Sequence, residues 1–235
     1  GSISALSEKE LFDLVRETKK QSKEALSQYK WLIITLGSSF VYQLDATGEI
    51  VANCHKQPEK IFRKSLLGRA QIVSAFDKAL DQIKEQYPGL KIAFTVSPVR
   101  HIKDGLVQNN RSKGILLDAV HEIVERYEFC SYFPSYEIQI DELRDYRFYK
   151  EDRIHPSNEA IEYIWKRFRE TYMNTQTNSL VEQIQKLKRA ISHRPFHLKS
   201  PEHQAFLKTT LSKLEQVNET VDMSSEIAQL KEQLI

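Results

Sequence analysis

WLIITLGSSFVY occupies residues 31–42. Its first six positions form an unbroken run of Trp, Leu, Ile and Thr, the composition of a strand buried in a parallel sheet. Gly37 ends the run, and Ser38 and Ser39 follow. A strand that stops at a glycine and then presents hydroxyls has the outline of a nucleophile loop, which makes both serines candidate nucleophiles.

Two further apolar runs lie downstream. LKIAFTVSPVRH (90–101) reads as a second buried strand ending at Ser97-Pro98, and FCSYFP (129–134) reads as a short third strand stopped by Pro134. Helical periodicity separates them. Residues 8–29 carry Leu11, Leu14, Val15 and Leu26 on one side, and Ser7-x-x-Glu10 has the form of a capping box. Residues 69–87 repeat Ile72, Ala75, Phe76, Ala79, Leu80 and Ile83 before Pro88-Gly89. A third helix is expected over 111–128, with Asn109 to Lys113 capping it. A fourth is expected from Pro156 to Tyr172, since proline suits a first helical turn. Between the first strand and the second helix, two strand-like pieces flank Asp45-Ala-Thr-Gly48 and predict a hairpin. NCHKQP then reads as a loop.

This alternation defines an α/β fold with a parallel sheet, in which ligands sit beyond the carboxyl ends of the strands. Residues 1–173 form the α/β domain. Residues 174–235 are polar and helical in pattern, broken at HRPFHLKSP, and read as a C-terminal helical extension.

Composition excludes several classes. The 34 basic and 32 acidic residues leave a net charge of +2, without the clustered basic excess of a nucleic-acid binder. No apolar run approaches the ~20 residues of a membrane span. Cys54 and Cys130 give neither a disulfide framework nor a zinc spacing. A reducing, cytoplasmic compartment follows as the simplest reading, and neither a metal nor a cofactor is expected.

The chemistry-bearing groups lie where strands end. Asp152-x-x-His155 is the sharpest, because a histidine general base needs a carboxylate to fix its tautomer and stabilise its cation. On spacing alone, an exposed Asp beside a capping His is the simpler reading, and the setting after the last strand is what raises the pair. Arg100, in Ser97-Pro-Val-Arg100-His101, could grip a carboxylate or phosphate with two parallel bonds; a plain strand-ending turn is the alternative. Asn53-Cys54-His55-Lys56 packs four polar side chains into one loop, but adjacent side chains diverge, so Cys54 and His55 do not make a catalytic pair.

The Asp-Arg-Ile-His-Pro ending resembles block V of the SGNH (GDSL-like) hydrolases, and the wider chain resembles the GSCFA family within that group. TLGSSFVYQLDATGEIVANCHKQP, FTVSPVRHIKDGLVQNNRSK, YFPSYEIQIDELRDYRFYKEDRIHPSNEAIEYIW and AISHRPF carry the likeness, from about residue 30 to residue 197. The resemblance implies a flavodoxin-like three-layer α/β/α sandwich. It also implies serine-dependent hydrolysis of a small ester, such as an acylated carbohydrate, with Asp152 orienting His155 as the base.

The family takes its name from a Gly-Ser-Cys-Phe-Ala stretch at the nucleophile. GSSFV imitates that stretch in a different neighbourhood. It follows a long helix and precedes VANCHK, where the family has its second glycine turn, similar to the G-x-N-D block. Gly37 and Asp152 are 115 residues apart, too few for the β-α units expected between nucleophile and base. The nucleophile block and the first β-α-β segment are therefore expected to precede this stretch of chain, which by itself would be inactive. Gly37, Ser38 and Ser39 would line the oxyanion side, with Ser39 at the asparagine position and Phe40 at the aspartate position of G-x-N-D. Asn53 or His55 would add a donor. Ser97, Arg100 and His101 would contact substrate. Strand 31–36 would then lie at a sheet edge, to be covered by a homodimer partner or by the C-terminal helices. Two alternatives stand beside this reading: a non-catalytic ligand-binding or assembly module using the same cleft or the C-terminal helices, and Ser38 or Ser39 as nucleophile.

Overall fold

Leu36 stands opposite Val96, so two parallel strands end at the same level. The structure, a computed structural model, describes residues 3–51, 54, 57–192 and 200–234. It divides into two units, Gly1–Ile164 and Trp165–Ile235.

In the first unit, strands β1 (Trp31–Leu36), β5 (Lys91–Val96) and β6 (Cys130–Phe133) form a parallel sheet in the order β1-β5-β6. Side chains alternate across a strand. Ile92, Phe94 and Val96 face helices α2 (Arg69–Gln86) and α3 (Leu106–Arg126), where Ile72, Val73, Leu80, Leu116, Ala119, Val120 and Ile123 complete the core. Phe76 meets Phe94 edge to face, with ring centroids 5.2 Å apart. On the opposite face, Thr95 Oγ1 lies 2.5 Å from Ser135 Oγ of the short helix α4 (Ser135–Glu137). Helices therefore flank the sheet on both sides, an α/β/α arrangement. Helix α1 (Glu8–Gln28) has the expected cap, Ser7 Oγ accepting from Glu10 N at 3.3 Å, but it buries none of its residues.

Four expectations change. Strand β1 is parallel but not buried on both faces. Leu32, Ile34 and Leu36 pack on the core, whereas Trp31 and Ile33 are 40% and 52% exposed. Among the described residues β1 pairs only with β5, so it is an edge strand. Second, the hairpin formed by β2 (Phe40–Leu44) and β3 (Ile50–Val51) gains a third strand, β4 (Phe62–Leu66), antiparallel to β2. Arg63 and Lys64 had masked its period. Lys64 lies over the Phe40 ring, at 4.8 Å, and pairs with Asp104. Third, α3 begins at Leu106, so Asn109, Ser112 and Lys113 lie inside it on the buried face rather than capping it. Fourth, Ser157 Oγ, not Pro156, serves the start of α5 (Asn158–Tyr172), accepting from Ala160 N at 3.3 Å.

The second unit holds the end of α5 together with α6 (Thr175–Ser192), α7 (Pro201–Asn218) and α8 (Ser224–Lys231). Leu187, Ile191, Leu207, Leu214, Val217, Met223 and Leu230 form its core. Most of the predicted break at 193–201 lies outside the described residues. No helix among the described residues is long and apolar enough to cross a membrane.

Candidate active site

Because β1 and β5 are in register to their ends, the chain leaves them through neighbouring loops: Gly37-Ser38-Ser39 after β1, and Ser97 to His101 after β5. Ser97 N donates to Leu36 O at 2.8 Å. Beneath both loops runs α3. Lys113 sends its Nζ up to Gly37 O and to Ser97 O, 2.6 Å each. Its residue is 1% exposed. Burial lowers its pKa to about 8, because a desolvated ammonium is disfavoured. One residue earlier in the same helix, Ser112 Oγ accepts Ser39 N at 2.7 Å and lies 3.0 Å from Ser39 Oγ and 3.2 Å from Ser38 Oγ. Ser39 is 2% exposed. Ser38 Oγ also accepts Phe40 N at 3.1 Å, closing its own turn.

His101 stands over Gly37. A Cβ at position 37 would meet His101 Nε2 at 3.4 Å, ordinary van der Waals contact. Asn109 Oδ1 fixes the His101 backbone, accepting its N–H at 2.8 Å. Burial lowers the His101 pKa below 6.5, the Lys113 and Lys64 charges lower it further, and Asp104 opposes them.

The Asp152–His155 loop is a tight reversal. Lys150 N donates to His155 O and Ser157 N to Phe148 O, both at 2.8 Å, and Tyr149 pairs with Pro156. Arg153 makes the turn with φ +56°. That single left-handed residue folds position 155 back onto position 152. Asp152 Oδ1 accepts Ile154 N at 2.8 Å and His155 N at 3.0 Å, and Oδ2 lies 2.7 Å from His155 Nδ1. The His155 backbone bond, then its ring, then the Ile154 bond hold the Asp152 carboxyl down to about 2. An ionised carboxylate only accepts hydrogen bonds. His155 Nδ1 therefore carries a proton, and Nε2 has no partner among the described residues.

Arg100 ties this loop to the end of β5. Its backbone N–H donates to Ile154 O at 3.3 Å and its guanidinium to Arg153 O at 3.1 Å, while the guanidinium carbon lies 4.2 Å from the centre of the Tyr149 ring. Behind the loop, the fully buried Gln139 donates to Phe148 O at 3.2 Å. The Ser97–His101 loop thus touches the Gly37 turn through Lys113 and His101, and the Asp152–His155 loop through Arg100. Asn53 and His55 lie outside the described residues. Among the described residues, no three His, Cys, Asp or Glu side chains gather as a metal site.

Sequence reasoning read Asn109, Ser112 and Lys113 only as a helix cap and passed over Gln139. A signal existed for the first three. Positions 109, 112 and 113 continue the spacing of Leu116, Ala119, Val120 and Ile123, so polar residues extend the buried stripe of α3 toward the sheet end.

Fold and site define an α/β protein with a carboxylate–histidine pair beside the carboxyl end of a parallel sheet. The GSCFA family model matches residues 1–168, and the model of the GSCFA domain protein, C-terminal domain, matches residues 184–235. The chain belongs to the GSCFA family. No curated protein matches it.

Proposed function

We propose that this chain supplies the orienter and general base of an SGNH-type serine hydrolase that cleaves a small ester, with acylated carbohydrate as the substrate class. The carrying observation is the Asp152–His155 pair: Nδ1 is tied to an ionised carboxylate at 2.7 Å and Nε2 is open. In that state imidazole accepts a proton from an attacking hydroxyl, and the carboxylate stabilises the imidazolium that forms. The sheet-end turn supplies donors for the oxyanion that develops on the substrate carbonyl. Ser38 and Ser39 are engaged with Ser112, and no hydrogen bond joins either to His155 among the described residues. This reading gives them the pocket, and the nucleophile to a serine outside residues 31–157.

The natural full-length protein is expected to hydrolyse a short-chain nitrophenyl ester, and His155→Ala to lower its kcat by about a thousandfold or more. Unchanged turnover in that variant overturns the assignment. The engaged serines also favour a second reading, a module that binds its ligand in the same cleft without turnover. Saturable binding with no hydrolysis by the full-length protein would select it.

A further inference from the structure

We infer that the backbone N–H of Ser38 is an oxyanion donor of this site, and that Lys113 is the positioning residue that aims and polarises it. The inference rests on the hydrolase reading and adds residues to it.

Lys113 is a cation in an unusual place. Lys113 is buried at the sheet end, and no carboxylate lies within ion-pair distance of it among the described residues. Burying an uncompensated charge is costly. A neutral side chain could tie two loops together without that cost. The ammonium instead leaves the Gly37 turn under a net positive field, which favours negative charge arriving from the substrate side.

The two carbonyls it holds are not equivalent. A trans peptide points its C=O and the following N–H in opposite directions. Pinning Gly37 O onto Lys113 turns the Ser38 N–H away from α3. Pinning Ser97 O does nothing comparable, because the next residue is Pro98, which has no N–H. At Ser39 the N–H is already taken by Ser112 Oγ. Ser38 N–H has no hydrogen-bond partner among the described residues. Of the two positions that follow the carbonyls held by Lys113, it is the one with an amide to offer, and that amide is free among the described residues. A carbonyl that accepts from an ammonium polarises its own amide, which strengthens the N–H as a donor.

The titratable groups facing this arrangement are Lys113 from α3, His101 from the loop after β5 and, beyond it, the Lys64–Asp104 pair. Lys113 titrates at about 8 and His101 below 6.5, so the two separate in a titration.

The test is the Ser38 amide signal of the isotopically labelled 235-residue chain. In the wild type, its chemical shift should follow a transition centred near Lys113's value of about 8, and Lys113→Met should remove it. Methylphosphonate, a tetrahedral anion, should move the Ser38 amide on binding, and bind at least about tenfold more weakly to Lys113→Met, the effect of one charge-supported hydrogen bond. A wild-type Ser38 amide that neither titrates in that range nor responds to methylphosphonate overturns the inference, and this arm needs no variant to fold. The same transition persisting in Lys113→Met also overturns it. Full hydrolysis with a silent Ser38 sinks the inference alone. Hydrolysis indifferent to His155→Ala sinks the hydrolase reading alone.

Discussion

Asp152 Oδ2 lies 2.7 Å from His155 Nδ1, while its other oxygen holds the backbone N–H groups of Ile154 and His155. One carboxylate thus fixes both the ring and the turn that carries it. Asp152→Asn should separate the two roles. An amide oxygen still accepts the backbone bonds, but an amide opposite Nδ1 favours the wrong tautomer. In the full-length protein, kcat should fall by about 10³–10⁴-fold with little change in KM. Loss confined to KM would argue that Asp152 binds rather than orients.

Acid should undo the same contact within a defined window. The Asp152 carboxyl is held at about 2 against an ordinary 3.8. A depressed carboxyl contributes stability that is fully present above its unfolded value and is lost as pH falls through the folded one. The stability difference between wild type and Asp152→Asn should therefore fade as pH falls through 3.8 toward about 2. Urea midpoints across that range check it, and a difference independent of pH would refute it.

Lys113 predicts the opposite limb. Its folded pKa is lowered, to about 8 from 10.5. Between those values the unfolded chain keeps a proton that the folded chain has released, so this residue's contribution rises with pH. Buried Cys130, pushed up to about 11, acts in the reverse sense and is common to both proteins. The wild-type minus Lys113→Met difference should thus move in favour of wild type from about 8 upward and level off past 10.5. A flat difference would place the Lys113 ammonium in solvent.

What the sequence revealed, and what it hid, follows from how local each signal is. Strands β1, β5 and β6 and the Asp152–His155 pair were legible because an apolar run and a four-residue motif are self-contained. Strand β4 was not, because Arg63 and Lys64 interrupt its alternation and only pairing with β2 shows that Lys64 covers aromatic rings. Lys113 was hidden differently. A lysine near a helix start reads as solvated, and its burial depends on two strand ends brought level by a register no local pattern encodes. The edge position of β1 followed only from the family resemblance, and its open outer face, with Trp31 and Ile33 exposed, was not legible at all, since WLIITL itself reads as buried.

Arg153 tests the backbone of the site. Its φ of +56° lies where a Cβ is penalised by about 1–2 kcal/mol, and nothing in the residue type announces it. Glycine there should recover part of that penalty while losing the Arg153 side chain over Tyr146, so Arg153→Gly should remain within about 1 kcal/mol of wild type. Arg153→Val, β-branched and stiff, should lose about 1–2 kcal/mol and displace His155. Chemical denaturation and the His155 ring signals check both. Equal tolerance of glycine and valine would mean that the turn relaxes out of the left-handed region.

The two cysteines offer an independent probe of the core. Cys130 opens β6, is buried, and burial pushes its thiol up to about 11. The thiolate is the reactive form, so Cys130 should resist a disulfide reagent in the folded protein. Cys54 is only half-buried and should react readily. In buffer, one thiol should be modified quickly, and the second should follow only in denaturant or at the rate of global opening. Blocking Cys54 by mutation to serine should abolish the fast phase without changing the slow one. Fast modification of both would show that β6 opens independently of the β1-β5 pair, because Ile92 and Cys130 are direct partners in the ladder.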